Sequence, residues 1–527
     1  MKILVSDPLA EEGLKILREE KGFQVDVKLK QSEEAIKEII GDYDALIVRS
    51  ETKVTAGIIE KADRLKVIGR AGVGLDNVDV EAATKRGIIV MNAPEGNTIS
   101  TAEHTMSMML ALSRNIPQAD ASLRKGEWNR KKFMGVELYR KTLGIIGLGR
   151  IGREVAKRAM SFGMKVIAYD PYLSFDKAKS LGIELVGWED LLSKADYISF
   201  HIPLTEETKN MISENEFKIM KRGVRIINCA RGGVIDEKAL LKAIEEGIVA
   251  GAALDVFEKE PPGDHPLLKL DKVIATPHLG ASTQEAQIGV SIDIAQQIKD
   301  VLLGRGVRNA VNFPCMETSL LELLKPYLNL AECLGSMHTQ LTEGHIKEVK
   351  IKYVGEFWNN VDIQPLTIAF IKGMLSPILQ ETVNFVNAPF IAKERGIKID
   401  EIKTNEIEDF ANVISSEVIT DKKKNVITGA LFANNSARIV KINEFYVEAI
   451  PQGVMLILNN WDKPGVVGNV GSVLGKNNIN IAGMTFGREK PGGKAITVIN
   501  VDSPVSESVL KQLKNTENIL DVKLIKL

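Results

Sequence analysis

Residues 142–170 read TLGIIGLGRIGREVAKRAMSFGMKVIAYD, and this stretch decides the fold. It opens on a short apolar run, residues 143–146, the pattern of a strand buried on both faces of a parallel sheet. Gly147-Leu148-Gly149-Arg150-Ile151-Gly152 follows, then a helical periodicity over residues 153–162. A second apolar strand, residues 165–169, ends on Asp170. Alone, a GxGxxG run says little in a chain with 43 glycines. Set between a strand and a helix, with an acid at the end of the next strand, it predicts a dinucleotide site. Gly147 allows the tight turn, Gly149 lets the backbone approach a pyrophosphate, and Gly152 lets helix and strand pack closely. The phosphates then meet unpaired N–H groups and the positive end of the helix dipole. Asp170 would accept hydrogen bonds from the adenosine ribose and repel a 2′-phosphate, which selects NAD over NADP. The bland alternative is a structural glycine turn.

Working outward, 527 residues exceed what one core supports and suggest about three domains at roughly 150 residues each. Net charge is −1 with 26% charged residues, so no basic excess points to nucleic acid or an anionic membrane. No apolar run approaches the roughly 20 residues that span a bilayer, and MKILVSDP at the start already reads as a strand. Cys229, Cys315 and Cys333 form no CxxC pair, which fits a reducing cytoplasm, and no metal-ligand cluster appears.

Upstream, residues 2–6, 25–27, 45–49, 67–69 and 88–92 read as strands with helical patterns between them, a small doubly wound sheet. Ligands sit at the carboxyl ends of such strands. One end carries Arg49-Ser50; another carries Arg70-Ala71-Gly72-Val73-Gly74, whose glycines can offer N–H groups to an anion. A long helical pattern over residues 98–123, interrupted near Pro117, leads to a basic loop, Trp128-Asn129-Arg130-Lys131-Lys132-Phe133. Downstream, residues 197–203, 224–230, 251–257 and 273–277 each read as a buried strand with a polar or glycine-rich end. Three of these ends carry Arg231, Glu260 and His278. Arginine's planar fork suits a carboxylate, and imidazole, titrating near neutrality, can move the proton that accompanies hydride transfer at a hydroxyl. A carboxylate at the other ring nitrogen would fix its tautomer. The remaining histidines, His104, His201, His265, His338 and His345, fit packed or solvated positions.

Residues 1–312 resemble the D-2-hydroxyacid dehydrogenase family, with the Arg231, Glu260 and His278 loops in that family's order. VRSETKVT, GRAGVGLDNVD, APEGNTISTAEH, WNRKKFMG and DVFEKEPP resemble its phosphoglycerate dehydrogenase branch. The resemblance implies NAD-dependent oxidation of 3-phosphoglycerate to 3-phosphohydroxypyruvate, committing carbon to L-serine. It further implies that Arg231 orients the substrate carboxylate, His278 shuttles the proton and Glu260 backs it. By the same resemblance Gly147, Gly149, Arg150, Ile151, Gly152, Asp170, Cys229, Ala230, Arg231, Asp255, His278, Gly280 and Ala281 line NAD. Arg49, Ser50, Gly72, Val73, Gly74 and Asn97 face substrate, with Arg130 or Lys132 available for its phosphate. Val73 stands where some related chains have Thr, so a side-chain contact to NAD there is lost.

Residues 313–450 carry no glycine fingerprint and resemble the intervening domain of the long-form branch, either a spacer or an anion site using Lys393, Arg395 and Arg438. From Gly453 the order βαββαβ in about 75 residues is the ferredoxin-like arrangement. With DKPG followed by NNINIAGM it resembles an ACT domain. That implies a serine site near Asn460, Asp462 and Asn480 between domains of different subunits, or else a purely dimerising module. The expected fold class is α/β: two doubly wound parallel-sheet domains (flavodoxin-like and Rossmann), a mixed α/β intervening domain and a ferredoxin-like ACT domain. The expected bounds are residues 1–95 plus 283–312 for substrate binding, 96–282 for NAD, 313–450 for the intervening domain and 451–527 for ACT. A homo-oligomer, dimer or tetramer, is expected. Alternatives are a dehydrogenase for another 2-hydroxy acid, or an NAD(H)-responsive binding protein on the same fold.

Overall fold

The computed structural model describes every residue except 315–317, 380–381, 407–409 and 411, so Cys315 lies outside the described residues. The first sheet is all parallel, in the order Gln24–Val27, Lys2–Val5, Ala45–Val48, Val67–Arg70, Ile89–Asn92. Its inner strands are largely apolar runs because both faces are covered, whereas the edge strand Gln24–Val27 alternates polar and apolar residues. Ile36, Ile58 and Ile59 pack over Leu4 and Leu46 on one side. On the other, Leu14 and Leu17 of helix Glu11–Arg18 meet Val290, Ile294 and Ile298 of helix Gln284–Leu302 over Ile3 and Val5. A helix distant in sequence thus completes the first sheet's core.

The second sheet has seven parallel strands, ordered Val273–Ala275, Val249–Leu254, Val224–Asn228, Tyr197–Phe200, Thr142–Ile146, Lys165–Tyr169, Glu184–Leu185. Strand order reverses between Thr142–Ile146 and Tyr197–Phe200, and a crevice at such a switch point is where a dinucleotide lies. The helix after the fingerprint begins at Arg150, earlier than its periodicity suggests, because Gly149 is its N-cap. The long pattern over residues 98–123 resolves into two helices, Thr98–Arg114 and Ile116–Arg124. Asn115, in the left-handed region at φ 53°, breaks them, one residue before the position a proline would bias toward extended backbone.

The third sheet is mixed: Lys398–Thr404 runs parallel to Ile346–Val354, and Val413–Thr420, Lys424–Phe432, Ser436–Ile442 and Phe445–Ala449 follow antiparallel. The fourth is antiparallel, ordered Ile481–Arg488, Lys494–Val501, Val454–Trp461, Ile519–Lys526. Helices Val466–Lys476 and Glu507–Lys514 cover one of its faces through Val470, Leu474 and Leu513. Met455, Ile457 and Val498 on the other face join the core beneath the third sheet, with Leu334 and Phe370. The central strands of the fourth sheet are therefore covered on both faces, whereas its edge strand Ile481–Arg488 is only partly buried. Among the described residues no helix is long and apolar enough to cross a membrane.

Candidate active site

The fingerprint turn has the shape a pyrophosphate needs. Gly147 takes φ 89°, and a Cβ there would stand 2.7 Å from the His201 carbonyl oxygen. A Cβ on Gly152 would collide with the Gly147 carbonyl oxygen, whereas one on Gly149 would meet nothing within 4 Å. The loop is thus closed toward the sheet and open above Gly149, at the start of a 12-residue helix whose first N–H groups lack helical partners. Asp170 Oδ2 accepts the Leu148 N–H at 2.8 Å and Oδ1 the Tyr172 N–H at 3.0 Å, so its carboxylate is fixed beside that turn with lone pairs to spare. Arg150 stands at the helix start, paired with Glu95 at 3.4 Å. This donor set fits a dinucleotide with a free ribose. Cys229, at the end of strand Val224–Asn228, is buried; burial and the neighbouring Asp255 carboxylate push its thiol up to about 12, so it is a neutral packing group.

A cleft of about 780 Å³ lies between the carboxyl ends of the two parallel sheets. Arg49, Ser50, Gly72, Val73, Gly74 and Asn97 line it from the first unit, and Arg231, Asp255, Glu260, His278 and Ala281 from the second. His278 Nδ1 lies 2.7 Å from Glu260 Oε2. A carboxylate can only accept, so Nδ1 carries the proton and Nε2 is left as the basic atom. The hydrogen bond to Glu260 raises the His278 pKa above its ordinary value, against an opposing effect of burial. Burial raises the Glu260 pKa, but the imidazole outweighs it and the net shift is downward. His278 itself sits in the left-handed region, φ 54°, a conformation a non-glycine residue keeps only when its surroundings enforce it.

Positive charge dominates the rest of the cleft. Burial pushes the Arg70 guanidinium down to about 10, and the charges of Arg231 and Arg49 push the same way. Burial lowers Arg49 too, against the pull of Asp7 and Glu51. The Nε atoms of Arg49 and Arg70 and the Oδ1 of Asn97 are buried with no partner. Arg231 is steered by Asp76, whose Oδ2 lies 3.3 Å from Nε, and by its own neighbour, the Ala230 carbonyl, at 2.8 Å from Nη1. The Gly72 N–H already donates to the Arg70 carbonyl at 2.8 Å, leaving Val73 and Gly74 to form any backbone anion nest.

Sequence reasoning named Arg70 only as part of a polar strand end. Its signal lay in register: Val48 pairs with Arg70 in parallel strands, so Arg49 and Arg70 leave adjacent strand ends together. Arg130 and Lys132 do not line this cleft; they sit on an exposed loop beside Trp128, which is 78% exposed, and Met134, which is 81% exposed. His265 bridges to Glu237 at 3.0 Å, and His338 is buried against Ser416 at 2.9 Å; both are packing histidines. Among the described residues no cluster of three or more His, Cys, Asp or Glu is placed to hold a metal.

Comparison with known proteins matches residues 106–280 to the D-isomer specific 2-hydroxyacid dehydrogenase NAD-binding domain. Residues 323–443 match the D-3-phosphoglycerate dehydrogenase intervening domain, and residues 454–518 the ACT domain. D-3-phosphoglycerate dehydrogenase of Methanocaldococcus jannaschii is 51% identical over the full length of both chains. That of Bacillus subtilis is 44% identical, over 100% of this chain and 99% of its own. Among solved structures, D-lactate dehydrogenase from Escherichia coli superposes with a TM-score of 0.53 at 30% identity, over 59% of this chain and 100% of that one. D-lactate dehydrogenase from Aquifex aeolicus, complexed with NAD and lactic acid, gives 0.52 at 30%, over 58% and 96%.

Proposed function

The chain belongs to the D-3-phosphoglycerate dehydrogenase family, and on that premise we propose that it oxidises 3-phosphoglycerate at its 2-hydroxyl to 3-phosphohydroxypyruvate, the step that commits carbon to L-serine. The carrying observation is the cleft's charge: Arg49, Arg70 and Arg231 converge beside a His278–Glu260 pair, with two buried guanidinium nitrogens unpartnered. A substrate with a carboxylate at one end and a phosphate at the other satisfies all three. Arg231, held by Asp76, takes the carboxylate. Arg49 and Arg70 take the phosphate. His278 Nε2 accepts the hydroxyl proton as the C2 hydrogen leaves as hydride, and Glu260 stabilises the imidazolium that forms. NAD, held by residues 147–152 and Asp170, supplies the hydride acceptor. In the reverse direction the same imidazolium returns the proton to the carbonyl oxygen.

Exposed Ile116, Leu123, Trp128 and Met134 around the Arg130–Lys132 loop support docking of a second copy there, hence a homo-oligomer in which this loop can reach a neighbouring cleft. The ACT match supports L-serine as effector, bound where two copies bring Asn460, Asp462 and Asn480 together. Free thiols at Cys229 and Cys333 support a reducing, cytoplasmic setting. The test is NAD-dependent oxidation of 3-phosphoglycerate, D-glycerate and 2-hydroxyglutarate, with and without millimolar L-serine. Preference for the phosphorylated acid is the expected result. Preference for either of the others assigns another hydroxy acid, and absence of turnover with NAD still bound points to the binding-protein alternative.

A further inference from the structure

His104 lies outside every role assigned above, yet it packs directly behind two residues that line the cleft, Asp255 and Thr276. It belongs to helix Thr98–Arg114, which begins directly after Asn97 and crosses from the first sheet to the second. Its Nε2 stands 3.1 Å from Thr276 Oγ1 and 3.2 Å from Asp255 Oδ1. Thr276 gives its single hydroxyl proton to Asp255 Oδ1 at 2.6 Å, so toward the ring it can only accept. Both neighbours of Nε2 are therefore acceptors, and Nε2 carries the proton. Asp255, 1% exposed, also accepts the Leu279 N–H at 2.7 Å and the Gly280 N–H at 2.8 Å, and its carbonyl accepts the His278 N–H at 2.9 Å. One turn earlier on the same helix, Ser100 and Thr101 donate their hydroxyls to the Gly280 carbonyl at 2.7 and 3.2 Å. Residues 100, 101 and 104 share a helix face, so one helix grips both ends of the segment 276–280 that carries His278.

We propose that His104 is a positioning residue for the reaction: its Nε2–H, acting through Asp255 and Thr276, holds the His278 loop in its left-handed turn and so aims the His278 imidazole. This rests on the reading of His278 as acid and base. The turn is intrinsically unfavourable for histidine, and the Asp255 hub is what opposes it. Of the groups bonded to the hub carboxylate, Thr276, Leu279 and Gly280 belong to the loop itself, whereas His104 ties the carboxylate to helix Thr98–Arg114. Asp255's backbone stays fixed, since its N–H donates to the Asn228 carbonyl at 2.9 Å, but without His104 its carboxylate loses the bond that orients it from outside the loop.

The experiment compares His104→Gln, which keeps a donor at similar reach, with His104→Met, of similar volume and no donor. His104→Met is expected to lower kcat roughly tenfold or more, the scale of a small misplacement of a reacting group. The KM for 3-phosphoglycerate should stay within about twofold, because the arginines are untouched. His104→Gln is expected to retain kcat within about threefold of wild type. Equal kcat in the two variants, or a loss expressed only in KM or in melting temperature, overturns the proposal. Should His104→Met fail to fold, Thr276→Val removes the relaying hydroxyl without changing shape and must show the same kcat loss. His278→Ala, run alongside, separates the two readings: if it leaves turnover intact, the assignment of His278 fails, whereas if it abolishes turnover while His104→Met does not slow it, only the His104 proposal fails.

Discussion

In the cleft, Arg49 and Arg70 each bury a guanidinium nitrogen with no partner, and three like charges converge. In the four-stranded domain the polar side chains singled out from the sequence are all engaged. Asn460 is buried, donating to the Trp461 carbonyl at 3.0 Å and accepting from Thr497 Oγ1 at 2.9 Å. Asp462 holds Arg488 and the Gly492 N–H, each at 3.1 Å, and Asn480 donates to Asp502 at 2.6 Å. A buried, unpaired polar group costs free energy, more so when charged, so a fold retains one only where something else returns the interaction. The cleft is preorganised for an anion within one chain. The side chains proposed for an effector are satisfied at home, and a ligand there must displace an internal bond or find further donors on a second copy.

The largest effect that probes this contrast is at His278. His278→Ala is expected to lower turnover by about 10²–10⁴-fold, the usual contribution of a positioned acid–base group. NAD affinity should barely change, because residues 147–152 and Asp170 lie apart from the imidazole; fluorescence titration checks it. Loss of NAD binding instead would make His278 a structural residue and remove the cleft from the comparison.

Arg70 comes next. Arg70→Met is expected to lower kcat/KM for 3-phosphoglycerate by about ten- to a hundredfold, the worth of a hydrogen bond between charged groups, with little change for D-glycerate. The same variant should melt at a higher temperature than wild type without ligand, since it removes a desolvated charge repelled by two neighbours. A variant that is both slower and less stable would show that Arg70 is held by contacts within the protein, and the contrast between the two regions would collapse.

A smaller effect separates Glu260 from His278. The free-enzyme pH profile of the oxidation, which needs neutral His278, should rise through a midpoint above the ordinary imidazole value, because Glu260 raises it. In the reducing direction, which needs the imidazolium, activity should fall through the same midpoint. Glu260→Gln is expected to move both midpoints downward, because it removes the main force raising the ring and leaves burial and Arg231 opposed by Asp255 alone. An unmoved midpoint would leave Glu260 as a loop brace only.

These experiments also mark what the sequence made legible. Parallel strands announce themselves as apolar runs, and their loops must emerge at one edge, so Arg231, Glu260 and His278 could be placed together from chain order alone. Arg70 was less legible because nothing in GRAGVG says that its side chain is desolvated; only the register of Val67–Arg70 beside Ala45–Val48 does. His104 was illegible for a related reason: its partners Asp255 and Thr276 are more than 150 residues away, and a helical histidine on an apolar face ordinarily packs. The basic loop at Arg130 and Lys132 is legible as charge but not as position. Its charge suited a phosphate, but it leaves helix Ile116–Arg124 on a surface outside this chain's own cleft.

The smallest expected effect on basal activity is at Asp462, and it tests the other side of the comparison. The Gly492 N–H, and then Arg488, hold this carboxyl below its ordinary value, in a domain that contributes no residue to the cleft lining. Asp462→Ala should leave serine-free turnover within about twofold of wild type, since no group of the cleft loses a contact. Under millimolar L-serine the wild-type rate should fall and that of the variant should not. If the wild type is insensitive to serine at every protein concentration, the satisfied side chains of this domain are structural. If it is sensitive only at concentrations where copies associate, the binding groups missing from a single chain come from its neighbour, and a ligand site there is assembled rather than preformed. Retained inhibition in Asp462→Ala would shift the ligand to Asn460 and Asn480, whose bonds to Thr497 and Asp502 it would then have to break.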